Sequence, residues 1–119
     1  MPGVIPYLIR AYCGWIEDSN LSPFIVVDCS KSGVFVPKDF TKEGKIILNI
    51  SASAASERQI TNELITFKAR FNGKLEKIVI PCTSVLSIYA QENGEGMIFE
   101  NKSGSESKKN QKPTLQILD

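Results

Sequence analysis

Three cysteines and no histidine limit the chemistry that this chain can perform. Cys13, Cys29 and Cys82 lie far apart, without the CxxC spacing of a redox pair or a zinc site. Without histidine, neither a Ser–His nor a Cys–His nucleophile can form, and no imidazole can bind a metal. We therefore expect reduced core thiols, no cofactor, no metal and no enzymatic activity. The alternative is a hydrolase or redox enzyme that uses a cysteine, and its sign would be a thiol of low pKa.

Two stretches of small and alternating side chains could form a shallow trough for a peptide. Ser51, Ala52, Ser53 and Ala54 would leave such a trough if they face outward. Ala69 interrupts the apolar face of Phe67 and Phe71, and Arg70 offers donors to a peptide carbonyl or carboxylate. The alternative is tight backbone packing against the small residues with a solvated Arg70. The residues alone favour that alternative.

The chain ends in KPTLQILD, residues 112–119, after a stretch of polar residues. Pro113 stiffens the start of this segment, and Leu115 and Ile117 alternate with Gln116 as in a strand laid into a groove. Large aliphatic side chains left in water favour aggregation. We therefore expect a docking peptide for another protein. The alternatives are that the segment folds back onto its own domain or is an inert end.

Helical spacing runs from Pro6 to Ser19. Its apolar stripe consists of Leu8, Ala11, Tyr12, Trp15 and Ile16. The stripe is wide and aromatic, so we expect it to form a homodimer interface. The alternative is a helix that lies across the core of its own domain.

After this helix the pattern is that of short strands. The turn signals are Thr41 to Gly44 and the hairpin dipeptide Asn72-Gly73. A polar connection is expected at residues 55–63, and a helix or turn is expected after Pro81 that places Val85, Leu86, Ile88 and Tyr89 inward. Strands are expected at 24–29, 33–37, 45–54, 64–71, 75–81 and in MIFE at 97–100. The predicted fold is mostly β with an N-terminal α-helix, as a small barrel or two-sheet sandwich.

Composition divides the chain into three parts. With 119 residues, 42% of them hydrophobic, there is room for one domain, which we place at residues 1–100. Residues 101–111 contain no hydrophobic side chain and are expected to be a disordered linker with a root-mean-square span of roughly 18 Å. Residues 112–119 are the docking peptide. No apolar run is long enough to span a membrane and the N-terminus does not resemble a signal peptide, so we expect a cytoplasmic protein.

Several stretches together resemble the SspB family, stringent starvation protein B, the adaptor of the ClpXP protease. They are PYLIRAYCGWIEDSNLSPFIVVD (6–28), GVFVP (33–37), GKIILNISASA (44–54), TFKARFNG (66–73), IP (80–81) and SIYAQENGEGMIFE (87–100). At the C-terminus, Lys112, Pro113, Leu115, Ile117 and Leu118 match the family pattern of a basic residue, proline, leucine and two hydrophobic residues.

The resemblance implies a fold related to Sm proteins, a homodimer built by the N-terminal helix, and binding of the ssrA tag of stalled-ribosome products. It also implies that the tail docks on the zinc-binding domain of ClpX. The implied dimer residues are Leu8, Ala11, Tyr12 and Trp15. The implied tag groove consists of Ser51 to Ala54 with Phe67, Ala69, Arg70 and Phe71.

An RNA-binding module of Sm-like architecture is the main alternative function. It would need exposed aromatic residues for base stacking and a basic track along the surface. The formal net charge is only +1 and most aromatic residues lie at positions expected in the core. The composition therefore argues against nucleic acid as the partner.

Overall fold

The computed structural model describes residues 3–99 of the 119-residue chain. Within this range a helix is followed by seven strands, with two short 3₁₀ turns at Lys38–Phe40 and Cys82–Ser84. The elements are α1 (Ile5–Asp18), β1 (Pro23–Asp28), β2 (Lys45–Asn49), β3 (Ser56–Ile60), β4 (Leu64–Phe71), β5 (Lys74–Pro81), β6 (Val85–Ala90) and β7 (Gly96–Ile98). No helix among the described residues is long and apolar enough to cross a membrane.

Helix α1 lies across the core by one face only. Pro6 sits in its first turn, where the missing backbone donor costs nothing. Ile9, Cys13 and Ile16, spaced by four and three residues, are all buried. The helix ends at Asp18; Asn20, beyond the C-cap, has a left-handed φ of 63°, and the Leu21 N–H donates to the Ile16 carbonyl at 3.0 Å. The core face is therefore not the predicted stripe, of which only Ile16 is fully buried.

The first sheet has four antiparallel strands in the order β2-β1-β6-β7. In β1 and β2 buried and more accessible residues alternate, as expected for strands with one face in the core. Strand β6 departs from this alternation because Val26 pairs with Ser87 while Val27 pairs with Val85. The extra residue forms a β-bulge, so that Val85 and Ile88 both point inward although they are three positions apart.

The second sheet has three antiparallel strands in the order β3-β4-β5. Asn72 and Gly73 connect β4 to β5 with φ angles of 54° and 78°, which is the backbone of a type I′ turn. This confirms the hairpin predicted from Asn72-Gly73. Strand β3 carries a bulge between Ser56 and Gln59, and Glu57 within it has a φ of 55°.

The two sheets and α1 enclose one hydrophobic core. The fold is mostly β with one N-terminal helix and two antiparallel sheets, which confirms the predicted fold class. The largest of its fully buried side chains are those of Phe67, Ile9, Ile16, Ile25, Ile50, Ile65, Ile78, Ile80 and Ile88.

Two local predictions are wrong, and two more hold only in part. Residues 33–37 form no strand and contribute only an isolated bridge between Phe35 and Val79, because Gly33 is left-handed and Pro37 lacks a donor. The predicted polar connection at 55–63 contains the strand β3. The strand predicted at 45–54 ends at Asn49 and is followed by a turn. The turn expected after Pro81 is found at Cys82–Ser84, but it leads into the strand β6, in which Leu86 and Tyr89 are only half-buried.

Candidate functional site

An open cavity of about 600 Å³ lies between β2 and β4, and we call it the β2–β4 groove. It lies where β2, an edge strand of the first sheet, faces the end of the β4–β5 hairpin. Its volume is in the range of ligand-binding clefts. The lining residues are Ile47, Leu48, Asn49, Ser53, Ala54, Ser56, Phe67, Lys68, Ala69, Arg70, Phe71 and Leu75.

Six of the eight residues predicted for the tag groove line this cavity. They are Ser53, Ala54, Phe67, Ala69, Arg70 and Phe71. The structure thus brings together two stretches that are separated in the sequence by the whole of β3.

Ser51 and Ala52 do not line the groove, but their hydrogen bonds stabilise the turn that carries Ser53 and Ala54. Ser51 is buried, and its carbonyl accepts the N–H groups of Ala54 at 3.0 Å and Ala55 at 2.8 Å. The Ser51 and Ser53 hydroxyls are 3.2 Å apart. The Ala52 N–H donates to the Glu17 carboxylate at 2.7 Å. These bonds fix the turn that presents Ser53 and Ala54 to the cavity.

Half of the lining was not predicted from the sequence. Ile47 is 57% exposed, although the apolar run KIILN made it look like a core residue. Leu75 is 51% exposed at the start of β5. Strict alternation along β2 would have placed Ile47 outward, opposite to Ile46 and Leu48. The remaining unpredicted lining residues are Leu48, Asn49, Ser56 and Lys68.

The groove has an apolar floor and a basic rim. Phe67 is buried beneath it, Ala69 leaves space above, and the Phe71 ring packs on Phe40 with ring centroids 4.9 Å apart. Its charged lining residues are both cations, Lys68 and Arg70. Such a cleft suits a ligand with small apolar groups and a negative charge.

The two cations differ in how far they are already engaged. Lys68 pairs with Glu57 at 3.4 Å on the surface. The guanidinium of Arg70 donates to the Gly73 carbonyl at 3.3 Å, which leaves most of its donors for a ligand. Arg70 is therefore the stronger candidate for an anionic ligand group.

An ion pair behind the groove ties α1 to β3. The Arg58 guanidinium donates to both Glu17 carboxylate oxygens at 3.1 Å, and to the Ile50 carbonyl at 2.7 Å. Burial raises the pKa of Glu17, but the Arg58 and Ala52 hydrogen bonds outweigh it and hold that pKa below its usual value. Glu17 therefore links the helix, the strand β3 and the turn at Ala52.

Comparison with known proteins identifies the family. The family model of stringent starvation protein B, SspB, matches residues 3–117. The chain belongs to the SspB family.

A curated SspB relative shows how far the likeness extends. The stringent starvation protein B homolog of Haemophilus influenzae is 48% identical over 95 residues. The match covers 80% of this chain and 63% of the relative, so the chain spans less than two thirds of that protein's length.

The cysteines of this SspB member lack the properties of nucleophiles. Burial raises the pKa of Cys13 to about 11, against the opposing effect of Arg58. Burial also raises the pKa values of Cys29 and Cys82. All three thiols are free, and only Cys29 is partly accessible. The low-pKa thiol that a cysteine enzyme would need is therefore not found.

The predicted dimer stripe lies on the outer face of α1. Trp15 is 50% exposed and Ala11 is exposed, while Leu8 and Tyr12 are half-buried. The Tyr12 and Trp15 rings meet edge to face at 5.8 Å, beside a shallow apolar depression lined by Ala11, Tyr12 and Trp15. The outer face thus presents a continuous apolar surface in addition to the core face.

The predicted linker at 101–111 and the docking peptide, with Lys112, Pro113, Leu115, Ile117 and Leu118, lie outside the described residues. Among residues 3–99, no three His, Cys, Asp or Glu side chains are grouped to hold a metal ion.

Proposed function

We propose that the protein is a protease adaptor that binds ssrA-tagged proteins and delivers them to ClpXP. The observation that carries this proposal is the open β2–β4 groove in a member of the SspB family. The proposed function requires no catalysis, which agrees with the raised pKa values of the cysteine thiols.

The groove is the proposed binding site of the tag peptide. Its length along β2 and β4 suits an extended segment, its floor suits small apolar side chains, and Arg70 suits a carboxylate. We assign the tag-binding role to Ser53, Ala54, Phe67, Ala69, Arg70 and Phe71, and a supporting role to Ser51 and Ala52.

The C-terminal segment is the proposed docking peptide for the zinc-binding domain of ClpX. Lys112, Pro113, Leu115, Ile117 and Leu118 would make this contact. Because the tag groove and the docking peptide lie on one adaptor, docking of the adaptor makes the binding of the tagged protein to ClpX effectively intramolecular. Such tethering reaches local concentrations on the order of mM and can raise avidity by about 10² to 10⁴ without any new contact.

Two copies of the chain are proposed to associate through α1. Leu8, Ala11, Tyr12 and Trp15 would form the interface, since Ala11 and Trp15 are exposed and Leu8 and Tyr12 are only half-buried. A homodimer would carry two grooves and two docking peptides.

Two measurements on one pair of proteins test the adaptor function. A labelled ssrA-tag peptide is titrated into the intact chain and into a chain that stops after Gln111. In parallel, ClpXP degradation of an ssrA-tagged reporter is followed with each protein. We expect equal peptide affinity for the two forms and faster degradation with the intact chain alone.

The outcomes separate the two contacts. If neither form binds the tag peptide, the groove assignment is wrong. If both forms accelerate degradation equally, residues 112–119 are not the docking peptide. RNA binding that weakens steeply with salt would instead favour the Sm-like RNA-binding alternative.

A further inference from the structure

The first sheet has one side in the core and another side that faces away from it. On the core side, Ile25 and Val27 of β1 are fully buried. Residues that pair across antiparallel strands lie on the same side of the sheet, so the outward side chains form rows across it. We call this outward side of the sheet β2-β1-β6-β7 the exposed sheet face.

Two rows of residues cross the exposed sheet face, and most of their side chains are apolar or aromatic. The first row consists of Ile47, Val26, Ser87 and Ile98. The second row consists of Asn49, Phe24, Tyr89 and Gly96. Within the second row the Phe24 and Tyr89 rings pack together with their centroids 6.0 Å apart.

The apolar surface of the exposed sheet face is most accessible at the β7 edge. Ile98 is 80% exposed, the highest value among the exposed large hydrophobic side chains of residues 3–99. Beside it Ser87 is small and Gly96 has no side chain, so both rows are low where β6 meets β7. Val26 and Tyr89 are half-buried. An aliphatic side chain placed here would cover apolar surface on Ile98, Val26 and Tyr89 together.

The chain leaves the domain beside this surface. Phe99, the last described residue, is buried, and its N–H donates to the Leu86 carbonyl at 2.8 Å. This bond fixes the point of exit at the end of β7, one residue after Ile98. Residues 100–119 continue from that point.

The apolar residues near the end of the sequence are within reach of the exposed sheet face. Neighbouring strands lie about 4.8 Å apart, so β7 and β2 are separated by roughly 14 Å. A flexible chain with the length of residues 101–111 would have a root-mean-square span of roughly 18 Å. Residues 112–119, which contain Leu115, Ile117 and Leu118, can therefore return to any part of this face.

We propose that residues 112–119 bind the exposed sheet face of their own chain, with Leu115 and Ile117 packed around Ile98. These two side chains alternate with Gln116, so in an extended segment they lie on one side and Gln116 on the other. The contact itself does not involve ClpX. Its consequence rests on the proposed function, because the same segment is the proposed docking peptide and is then shared between its own domain and ClpX.

A weak contact is enough to occupy the exposed sheet face. Short flexible linkers give effective concentrations on the order of mM, so a contact with a Kd of about 1 mM for the free peptide is about half occupied within the chain. The bound segment keeps its aliphatic side chains from water, where they would favour aggregation. ClpX meets only the released fraction of the segment, and its apparent Kd rises by the inverse of that fraction.

Methyl NMR of the full chain tests the contact. The Val26 and Ile98 methyl signals are compared between the wild type and a double variant with Leu115→Asn and Ile117→Asn. We expect both signals to differ between the two proteins, at every protein concentration. The methyl signals of Leu64, which is 38% exposed on the second sheet, should coincide. Coinciding Val26 and Ile98 signals overturn the proposal, and so does a difference that grows with concentration, which would assign the face to a second copy.

The free peptide KPTLQILD provides a test of the binding site. Titrated into the double variant, it should move the Val26 methyl signals with a Kd on the order of 1 mM. Adding Ile98→Gln to the double variant should weaken this binding at least about fivefold. Phe35→Gln, at a residue that is 64% exposed outside the exposed sheet face, is the matched control and should leave it unchanged. Equal binding by the Ile98→Gln and Phe35→Gln proteins, both folded by circular dichroism, contradicts the assignment.

Binding to the zinc-binding domain of ClpX separates this inference from the proposed function. The full chain with Ile98→Gln should bind that domain about twofold or more tightly than the wild type, because more of its docking segment is released. Equal affinities of the two chains, with the free peptide also bound, overturn the sharing of the segment and leave the docking function standing. If the free peptide does not bind the domain, the docking function fails, and the methyl signals still decide the intramolecular contact.

Discussion

At the scale of single residues, Glu17 stabilises the fold through charge. Its carboxylate accepts two hydrogen bonds from Arg58 and one from the Ala52 N–H. Hydrogen bonds to charged groups are worth more than neutral ones, and their loss leaves a partly buried guanidinium without its partner.

Glu17→Gln should lower the free energy of unfolding by about 1–3 kcal/mol at pH 7, measured by urea denaturation. Because the folded-state pKa of Glu17 is lowered, its contribution is complete above the usual glutamate pKa of about 4.3 and is lost as the pH falls through the folded value. The difference between wild type and variant should therefore shrink below about pH 4. Asp18→Asn, an exposed carboxamide substitution one residue along α1, is the control. A difference that stays constant down to pH 3 would show that the charge is not the cause.

The small side chain of Ala69 leaves open the space of the β2–β4 groove. Ala69→Leu adds volume into the cavity and not into the packed core, so the fold should survive while peptide binding weakens by about tenfold or more, as for an overpacked contact of about 1–3 kcal/mol. Titration with the labelled tag peptide measures the effect. Lys77→Leu adds the same side chain at an exposed β5 position outside the groove and should bind normally. Full affinity in Ala69→Leu would place the peptide elsewhere.

At the scale of elements, the β4–β5 hairpin depends on its turn. Gly73→Ala places a Cβ at a φ of 78° and should destabilise the protein by about 1–2 kcal/mol in urea denaturation. Gly14→Ala is the matched control, because it lies within α1 and an added Cβ meets nothing within 4 Å. It should stabilise by about 0.5–1 kcal/mol, provided light scattering shows an unchanged molar mass. The same sign in both variants would contradict the conformational argument.

The outer face of α1 gives a prediction about assembly. Trp15→Glu places a charge in the proposed interface and should convert a dimer to a monomer in light scattering, with tag-peptide affinity retained. Ile98→Glu alters another exposed apolar residue, 80% accessible on β7, and should leave the dimer intact. A monomeric wild type, or a Trp15→Glu dimer, would refute the interface.

The elements that local sequence determines were predictable, and those that depend on a neighbouring strand were not. The pattern of α1 and the Asn72-Gly73 turn carry their own physical signals. Strand β3 has the polar sequence SERQI and exists because β4 offers it an edge. The bulge in β6 shifts the apolar spacing from two to three and thereby imitates a helix or turn.

One part of the candidate site could likewise be predicted from local sequence, and the other part could not. Ala69 and Arg70 are visible as departures from an alternating strand, so one wall of the groove could be predicted. The other wall is the free edge of β2, and an unpaired edge is a property of the assembled sheet. Ile47 was missed for another reason: the apolar run KIILN hides the alternation that places its side chain opposite to those of Ile46 and Leu48.

At the scale of the whole molecule, the tag groove and the docking segment are proposed to act only when joined. A chain that stops after Gln111 should therefore inhibit delivery when added in excess to the intact protein, because it occupies tags that it cannot bring to ClpXP. The rate of reporter degradation should fall towards the rate without adaptor as the ratio of truncated to intact chain rises. A truncated chain that also carries Ala69→Leu should not inhibit, because its groove is closed to the tag.

That truncated double variant is the control for the competition. Since it lacks both contacts, it should not slow degradation at any ratio. Inhibition by this control would show that the truncated chain acts by a route other than capture of the tag.

The open edge of β2 has a consequence for the solubility of the protein. A free strand edge with an exposed aliphatic side chain can pair with a strand of another copy, and such pairing favours aggregation. Lysines are a common means of blunting such edges, and Lys42 and Lys45 close one end of this one. The peptide-free protein should therefore be the more aggregation-prone form, because a peptide bound in the β2–β4 groove would cover this edge.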